Sequence, residues 1–173
     1  MKLKRILEGR EARARAQRWL LGKVDVVAQV SLNIPGFPKD VEGSRVLIHK
    51  VAASFTEKVL RAGGIVPVEM TLENGAGVAA FLGITSLDAV EVKKIAVALE
   101  EVQEWGRILD IDILTQAGAL SREKMNKPSR KCLVCERDAK WCASTQRHDI
   151  KDLRKKAIDL IQEAVKAFSG PLG

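Results

Sequence analysis

Tyrosine is absent from this chain, and aromatic residues make up only 4% of its 173 positions. Platforms for single-stranded nucleic acid need exposed aromatic faces on which bases stack, so that class of function is poorly supplied. No run of eighteen apolar residues occurs, which argues against a transmembrane helix. No signal peptide is expected. The opening segment, Met1 to Gly22, is Arg-rich like a transit peptide, yet it carries Glu8 and Glu11 and no Ser, a poor fit. The expectation is a cytoplasmic protein. Cysteine is scarce and odd in number, at three, which points to free thiols or a metal rather than a disulfide framework.

What is present is ordinary in bulk: 46% hydrophobic and 29% charged residues, enough for one domain, 1–173, with a real core. The net charge of +7 implies an anionic partner: a nucleotide, a nucleic acid or an acidic protein. Lys2 to Leu21 reads as a helix with Leu3, Ile6, Leu7, Ala14 and Leu21 as a loose apolar stripe, stopped at Gly22. Arg10, Arg13 and Gln17 share one helical face, either solvated or phosphate-reading. A Val-rich strand, Val24 to Leu32, runs into a two-proline turn ending at Lys39, which is a connector or a stiff support for a ligand. A helix over Ser44 to Arg61 follows, with Val46, Leu47, Val51, Phe55, Val59 and Leu60 inward and a lone His49 read as structural. Asn74-Gly75 predicts a hairpin between Ile65–Leu72 and Val78–Ile84, with Pro67 marking an edge or a bulge. Ser86 caps a helix reaching Trp105, Asp88 lies in its first turn, and Gly106 ends it. After the next strand, closed by Gly118, a polar basic loop covers Leu120 to His148. Asp149 then opens an amphipathic helix that Ser169-Gly170-Pro171 ends. The fold class is α+β: one domain with a mixed or antiparallel sheet and helices packed on it.

Two segments carry chemistry. In Gly106-Arg107-Ile-Leu-Asp110-Ile-Asp112 the flanking apolar residues predict a buried strand, on which Asp110 and Asp112 point one way and Ile111 and Ile113 the other. Two carboxylates so close repel and raise a pKa unless a cation sits between them, and Mg²⁺ suits such hard ligands. Acids at a strand end that face water remain the other reading. Cys132, Cys135, Cys142 and His148 form C-x2-C-x6-C-x5-H, which matches a closed zinc site of three cysteines and one histidine in ligand number and type; three reduced thiols and a surface His are the alternative. Arg122, Lys124, Lys127, Arg130, Lys131, Lys140 and Arg147 surround those cysteines, as a polyphosphate substrate beside a metal would require.

The motifs occur in a collinear order: Gly9-Arg10-Glu11-Ala12-Arg13 with Gln17, Ser31-Leu32-Asn33-Ile34-Pro35-Gly36 with Lys39, Gly106 to Asp112, Leu120-Ser121-Arg122, and Arg130-Lys131-Cys132 through Arg147-His148. This ordered set resembles the citrate lyase holo-acyl-carrier-protein synthase family, CitX. The family has a His-Pro-Leu-like step before its Gly-Arg, where this chain has Gln103-Glu104-Trp105. The resemblance implies transfer of phosphoribosyl-dephospho-CoA from 2′-(5″-triphosphoribosyl)-3′-dephospho-CoA to a serine of the citrate lyase acyl carrier (gamma) subunit, with pyrophosphate leaving. It implies a nucleotidyltransferase-like Asp-x-Asp strand, with Asp110 and Asp112 catalytic and holding Mg²⁺. Arg10, Arg13, Lys39, Arg107, Arg122, Arg130, Lys131 and Arg147 would be the substrate-binding residues, and a zinc at the Cys/His cluster would be structural. Neither membrane nor nucleic acid is an expected partner. Three rivals are a transferase for a malonate decarboxylase carrier, a non-catalytic zinc-knuckle protein that binds nucleic acid, and a scaffold subunit of the lyase complex without activity.

Overall fold

The computed structural model describes residues 1–169; Gly170 and Pro171 of the expected terminator lie outside them. The chain runs α1 (Lys2–Leu21), β1 (Val26–Leu32), α2 (Ser44–Arg61), β2 (Ile65–Asn74), β3 (Gly77–Thr85), α3 (Ala89–Glu101), a 3-10 turn (Glu104–Ile108), β4 (Leu109–Thr115), β5 (Gly118–Ala119), a 3-10 turn (Glu123–Met125), α4 (Ala139–Ser144) and α5 (Ile150–Ala167). The strands form one five-stranded sheet in the order β2-β3-β1-β4-β5, and every pairing is antiparallel. The α+β expectation holds, with the sheet antiparallel rather than mixed. No helix among the described residues is long and apolar enough to cross a membrane.

The sheet's main apolar face comes from alternate residues of its central strands: Val26, Ala28 and Val30, then Ala80, Leu82 and Ile84, then Leu109, Ile111 and Ile113. The helices α2, α3 and α5 cover it through residues such as Leu47, Phe55, Ala96, Leu160 and Ile161. Burying an aliphatic or aromatic side chain of this size stabilises by about 1.5–3 kcal/mol, so this layer supplies most of the folding drive. The opposite face carries a smaller cluster, Ala16, Leu20, Val24, Val27, Ala79 and Phe81, beneath α1 alone.

Several boundaries and faces differ from the sequence expectation. In α1, Leu3 and Leu7 are exposed, and the buried residues are Gly9, Ala16 and Leu20. The cause is a close crossing: a Cβ at Gly9 would lie 2.3 Å from Asn74 Oδ1, and one at Gly75 would lie 2.3 Å from the Arg5 carbonyl oxygen. The helix therefore rests on the hairpin turn through its smallest residue. In α2, Val46 and Leu60 face outward, while Ile48 and Ala52 take inward places. Asp88, not Ser86, caps α3: its carboxylate accepts from the Val90 and Glu91 amides, and the helix stops at Glu101. Gly106 lies inside the following 3-10 turn, so β4 starts at Leu109, and Gly118 begins β5 instead of closing β4. The Asn74-Gly75 hairpin forms, and Pro67 sits in the edge strand within a register shift between Ile65 and Val68. His49 is exposed on α2.

Candidate active site and metal cluster

Strand β4 alternates as the sequence suggests. Leu109, Ile111 and Ile113 are buried in the core, while Asp110 and Asp112 share the opposite face and are half-buried. On the neighbouring strand β1, Ser31 stands across from Asp110 and Gln29 across from Asp112, both buried. Gln17 of α1 donates to the Gln29 side-chain oxygen at 2.8 Å. Burial, reinforced by the nearby Asp110 charge, raises the pKa of Asp112, although Arg130 and Lys93 pull against it. Desolvated like charges of this kind fit a hard divalent cation.

Beyond β5 the outer edge of β4 has no strand partner among the described residues, and α3 supplies a substitute. The buried Lys93 ammonium donates to the Ile111 carbonyl at 2.9 Å, and the buried Glu100 carboxylate accepts from the Ile111 amide at 2.9 Å. These two residues lie seven positions apart and so share one helical face. Glu100 also accepts from Arg130 at 2.7 Å and from Arg122 at 2.6 Å. Arg130 then reaches Asp110 at 2.8 Å and the Leu109 carbonyl at 3.3 Å. Burial lowers the Arg130 pKa, but Glu100 and Asp110 outweigh it and the net direction is upward. Buried charges are stable only when paired and hydrogen-bonded, a condition this chain of contacts meets.

The sequence-derived basic residues divide between two clefts. The first, about 340 Å³, is lined by Arg10, Arg13, Lys39, Gln29, Ser31 and Asp110. Arg10 is exposed at its mouth. Arg13 donates to the Ala76 carbonyl at 2.8 Å and so ties α1 to the hairpin, and its Nε is buried with no hydrogen-bond partner. Lys39 donates to the Ile34 carbonyl. Burial lowers the Lys39 pKa, and Arg10, Arg154 and Arg13 add to the shift. The second cleft, about 580 Å³, is lined by Arg107, Arg122, Arg130 and Lys131 together with Glu100 and Glu101. Arg122 is held there between Glu100 and Glu101, and both Arg107 and Lys131 pair with Glu136. Arg147 is in neither cleft: it stacks over Trp141 at 5.7 Å.

Cys132, Cys135, Cys142 and His148 converge. Their ligand atoms all lie within 4.8 Å of one another, a cluster that could hold a metal ion. The Cys135 pKa is lowered to about 7, first by the Arg137 backbone amide and then by His148, while burial lifts Cys142 to about 11.

A family model, CitX, apo-citrate lyase phosphoribosyl-dephospho-CoA transferase, matches residues 1–164. The chain belongs to this family. It is 31% identical over 155 residues to the apo-citrate lyase phosphoribosyl-dephospho-CoA transferase of Citrobacter koseri, covering 89% of this chain and 84% of that one. A Vibrio cholerae relative named as a probable enzyme of the same kind is 28% identical, covering 93% and 92% of the two chains. An Escherichia coli relative is 29% identical, covering 88% and 84%.

Within this CitX chain, Lys93 and Glu100 did not stand out from sequence. The signal they left is two charges seven apart on the apolar stripe of α3, beside buried Val92, Ala96 and Leu99. Gln29 and Ser31 were likewise silent, because polar residues in a strand become informative only once the facing residues of β4 are known.

Proposed function

We propose that this chain, as a single transferase domain over 1–173, moves the phosphoribosyl-dephospho-CoA group from 2′-(5″-triphosphoribosyl)-3′-dephospho-CoA to a serine of the apo-citrate lyase acyl carrier (gamma) subunit. The observation that carries this reading is the Asp110/Asp112 pair on one face of β4, with Asp110 lining a cleft together with Arg10, Arg13 and Lys39. Family membership supports it, and the relatives' names favour citrate lyase over the malonate decarboxylase carrier or a nucleic-acid partner.

In the reaction the carrier serine Oγ forms a bond to the α-phosphorus of the triphosphate, and the bond from that phosphorus to pyrophosphate breaks. The serine proton passes to a carboxylate or to solvent. Asp110 and Asp112 would hold Mg²⁺, which when bound neutralises charge on the reacting phosphate. Arg10, Arg13 and Lys39 bind the polyphosphate. Arg130, anchored on Glu100, keeps the Asp110 carboxylate in place. Arg107, Arg122 and Lys131 extend the basic lining toward the second cleft, whereas Arg147, stacked over Trp141, adds to the positive charge of the loop outside it. We read the Asp-x-Asp strand as nucleotidyltransferase-like, a manner of holding a triphosphate that an antiparallel α+β sheet can provide. We also read the Cys/His cluster as a structural zinc centre, and the protein as cytoplasmic.

Mixing the protein with Mg²⁺, the donor and apo-carrier, then weighing the carrier, tests the reading. A Mg²⁺-dependent gain equal to the transferred group is expected. An unmodified carrier, with donor and carrier both shown to be intact, would refute it.

A further inference from the structure

We propose that Cys132, Cys135, Cys142 and His148 bind one zinc ion whose occupancy orders the loop from Leu120 to His148 and thereby places Arg130 against Asp110. The role given to Arg130 rests on the transferase reading; the metal and the ordering do not.

Two of the ligand-atom separations match the edges of a tetrahedral centre, and all four atoms lie within 4.8 Å of one another. Cys135 Sγ and Cys142 Sγ are 3.6 Å apart, and His148 Nε2 is 3.4 Å from Cys135 Sγ. With bonds of about 2.3 Å to sulfur and about 2.0–2.1 Å to nitrogen, a tetrahedron has S···S edges of about 3.8 Å and S···N edges of about 3.5 Å. A disulfide would need about 2.05 Å. Three thiolates and an imidazole are soft donors, which select zinc over magnesium or calcium. Four protein ligands leave no open position, so the site is of the structural kind.

Beyond its ion pairs to Glu100, Glu101 and Asp110, the loop has little apolar packing to hold it. Between Leu120 and His148 the buried residues are Cys132, Leu133 and Cys142, and two of those three are ligands. A segment with so few apolar contacts opens easily unless something else closes it, and the free energy of binding zinc is then the free energy of ordering the segment.

The closed knuckle is coupled to the carboxylate strand by short steps. Arg107, in the turn that leads into β4, donates to the Cys132 carbonyl at 3.2 Å and the Cys135 carbonyl at 3.4 Å. Cys132 N donates to the Arg137 carbonyl at 2.8 Å, and Ala139 N donates to the Arg130 carbonyl at 2.8 Å. Arg130 precedes the first ligand by two residues, and its guanidinium lies on Glu100, Leu109 and Asp110. Partners of this kind around a metal centre fix the orientation of what they touch. Zinc thus acts from outside the cleft, and Arg130 is its positioning output.

The test begins without substrate. Reduced, purified protein is expected to contain one zinc per chain. Cobalt substitution should give the visible absorption and thiolate charge-transfer bands of a tetrahedral site with three sulfur ligands and one nitrogen. Removing the metal should make the 120–148 loop sensitive to limited proteolysis while the sheet stays resistant. His148→Cys should keep the metal and the protection, since a set of four thiolates also suits zinc; Cys142→Ser should lose both. In the transfer assay, with Mg²⁺ in excess, the zinc-stripped protein should lose turnover as Arg130→Ala does and recover it when zinc alone is restored. Absence of metal and of cobalt bands would overturn the site. A stripped protein with a protected loop and undiminished transfer would overturn the ordering role. A zinc-bound, metal-ordered protein that transfers nothing would support the site and the ordering, and would refute the transferase reading instead.

Discussion

The two faces of the sheet use the same strands for opposite purposes. Toward α2, α3 and α5 the strands present an unbroken apolar surface from Val26 to Ile113. Toward α1 they present apolar residues only near Leu20, Val27 and Phe81, and further along they turn polar at Gln29, Ser31, Asp110 and Asp112. Three helices cover the first face; a single helix, thinned at Gly9 where it crosses the hairpin, covers the second. The first face holds the fold together, and the second gives up burial where two half-buried carboxylates stand.

If the division is this clean, damage to one face should leave the other intact. The largest effect is expected from Asp112→Asn: carrier modification, followed by mass spectrometry, should be abolished. Stability should not fall with it. Burial and Asp110 raise the Asp112 pKa, so the folded chain binds that proton more tightly than the unfolded chain does. The resulting cost is absent below the unfolded value, grows as pH rises toward the folded value and is complete above it. The thermal midpoint of Asp112→Asn should therefore match or exceed that of the parent at neutral pH, and the difference should vanish in acid. A lower midpoint at neutral pH would mean that Asp112 supports the fold.

On the other face, Phe55→Ala removes a fully buried side chain and should cost about 3–5 kcal/mol in denaturant unfolding, while the molecules that remain folded keep their turnover. A smaller disturbance should follow from Gly9→Val, whose side chain meets Asn74 and the Ala76 amide. Overpacking of this kind costs roughly 1–3 kcal/mol. Because α1 carries Arg10 and Arg13, the apparent KM for the donor should rise more than kcat falls. The mildest effect is a gradual loss of transfer with rising salt, as the positive surface is screened; a flat response would show that charge does not steer either partner.

How much of this could be read from sequence followed from how local each signal is. The Asp-x-Asp alternation, the Asn-Gly hairpin and the Cys/His spacing each lie within a short stretch, and β4, the hairpin and the four-residue cluster all form. The inner face of α1 is not legible in the sequence because its contact is made by Gly9 and Ala16, small residues that carry almost no hydrophobic signal, while Leu3 and Leu7 stay exposed. The Lys93–Glu100 arrangement was hidden for another reason. Its meaning depends on which edge of β4 lacks a neighbour, and that is a property of strand order, not of α3. Sequence presents Arg122 and Arg130 as phosphate ligands alone, whereas the structure also gathers them on the buried Glu100.

The treatment of the sheet's margins has a consequence for self-association. An open strand edge is a template on which another extended chain can grow, and it invites fibril-like stacking. Here one margin is β2, interrupted near its start by Pro67 and a register shift but regular from Val68 to Asn74, and at the other the Ile111 amide and carbonyl are already taken by Glu100 and Lys93. The two margins thus differ: β2 keeps a regular outer edge, while β4 is plugged at Ile111. At the β4 margin an incoming protein is therefore met by side chains and not by strand addition, and the same plugs that align the carboxylate strand guard that edge against aggregation.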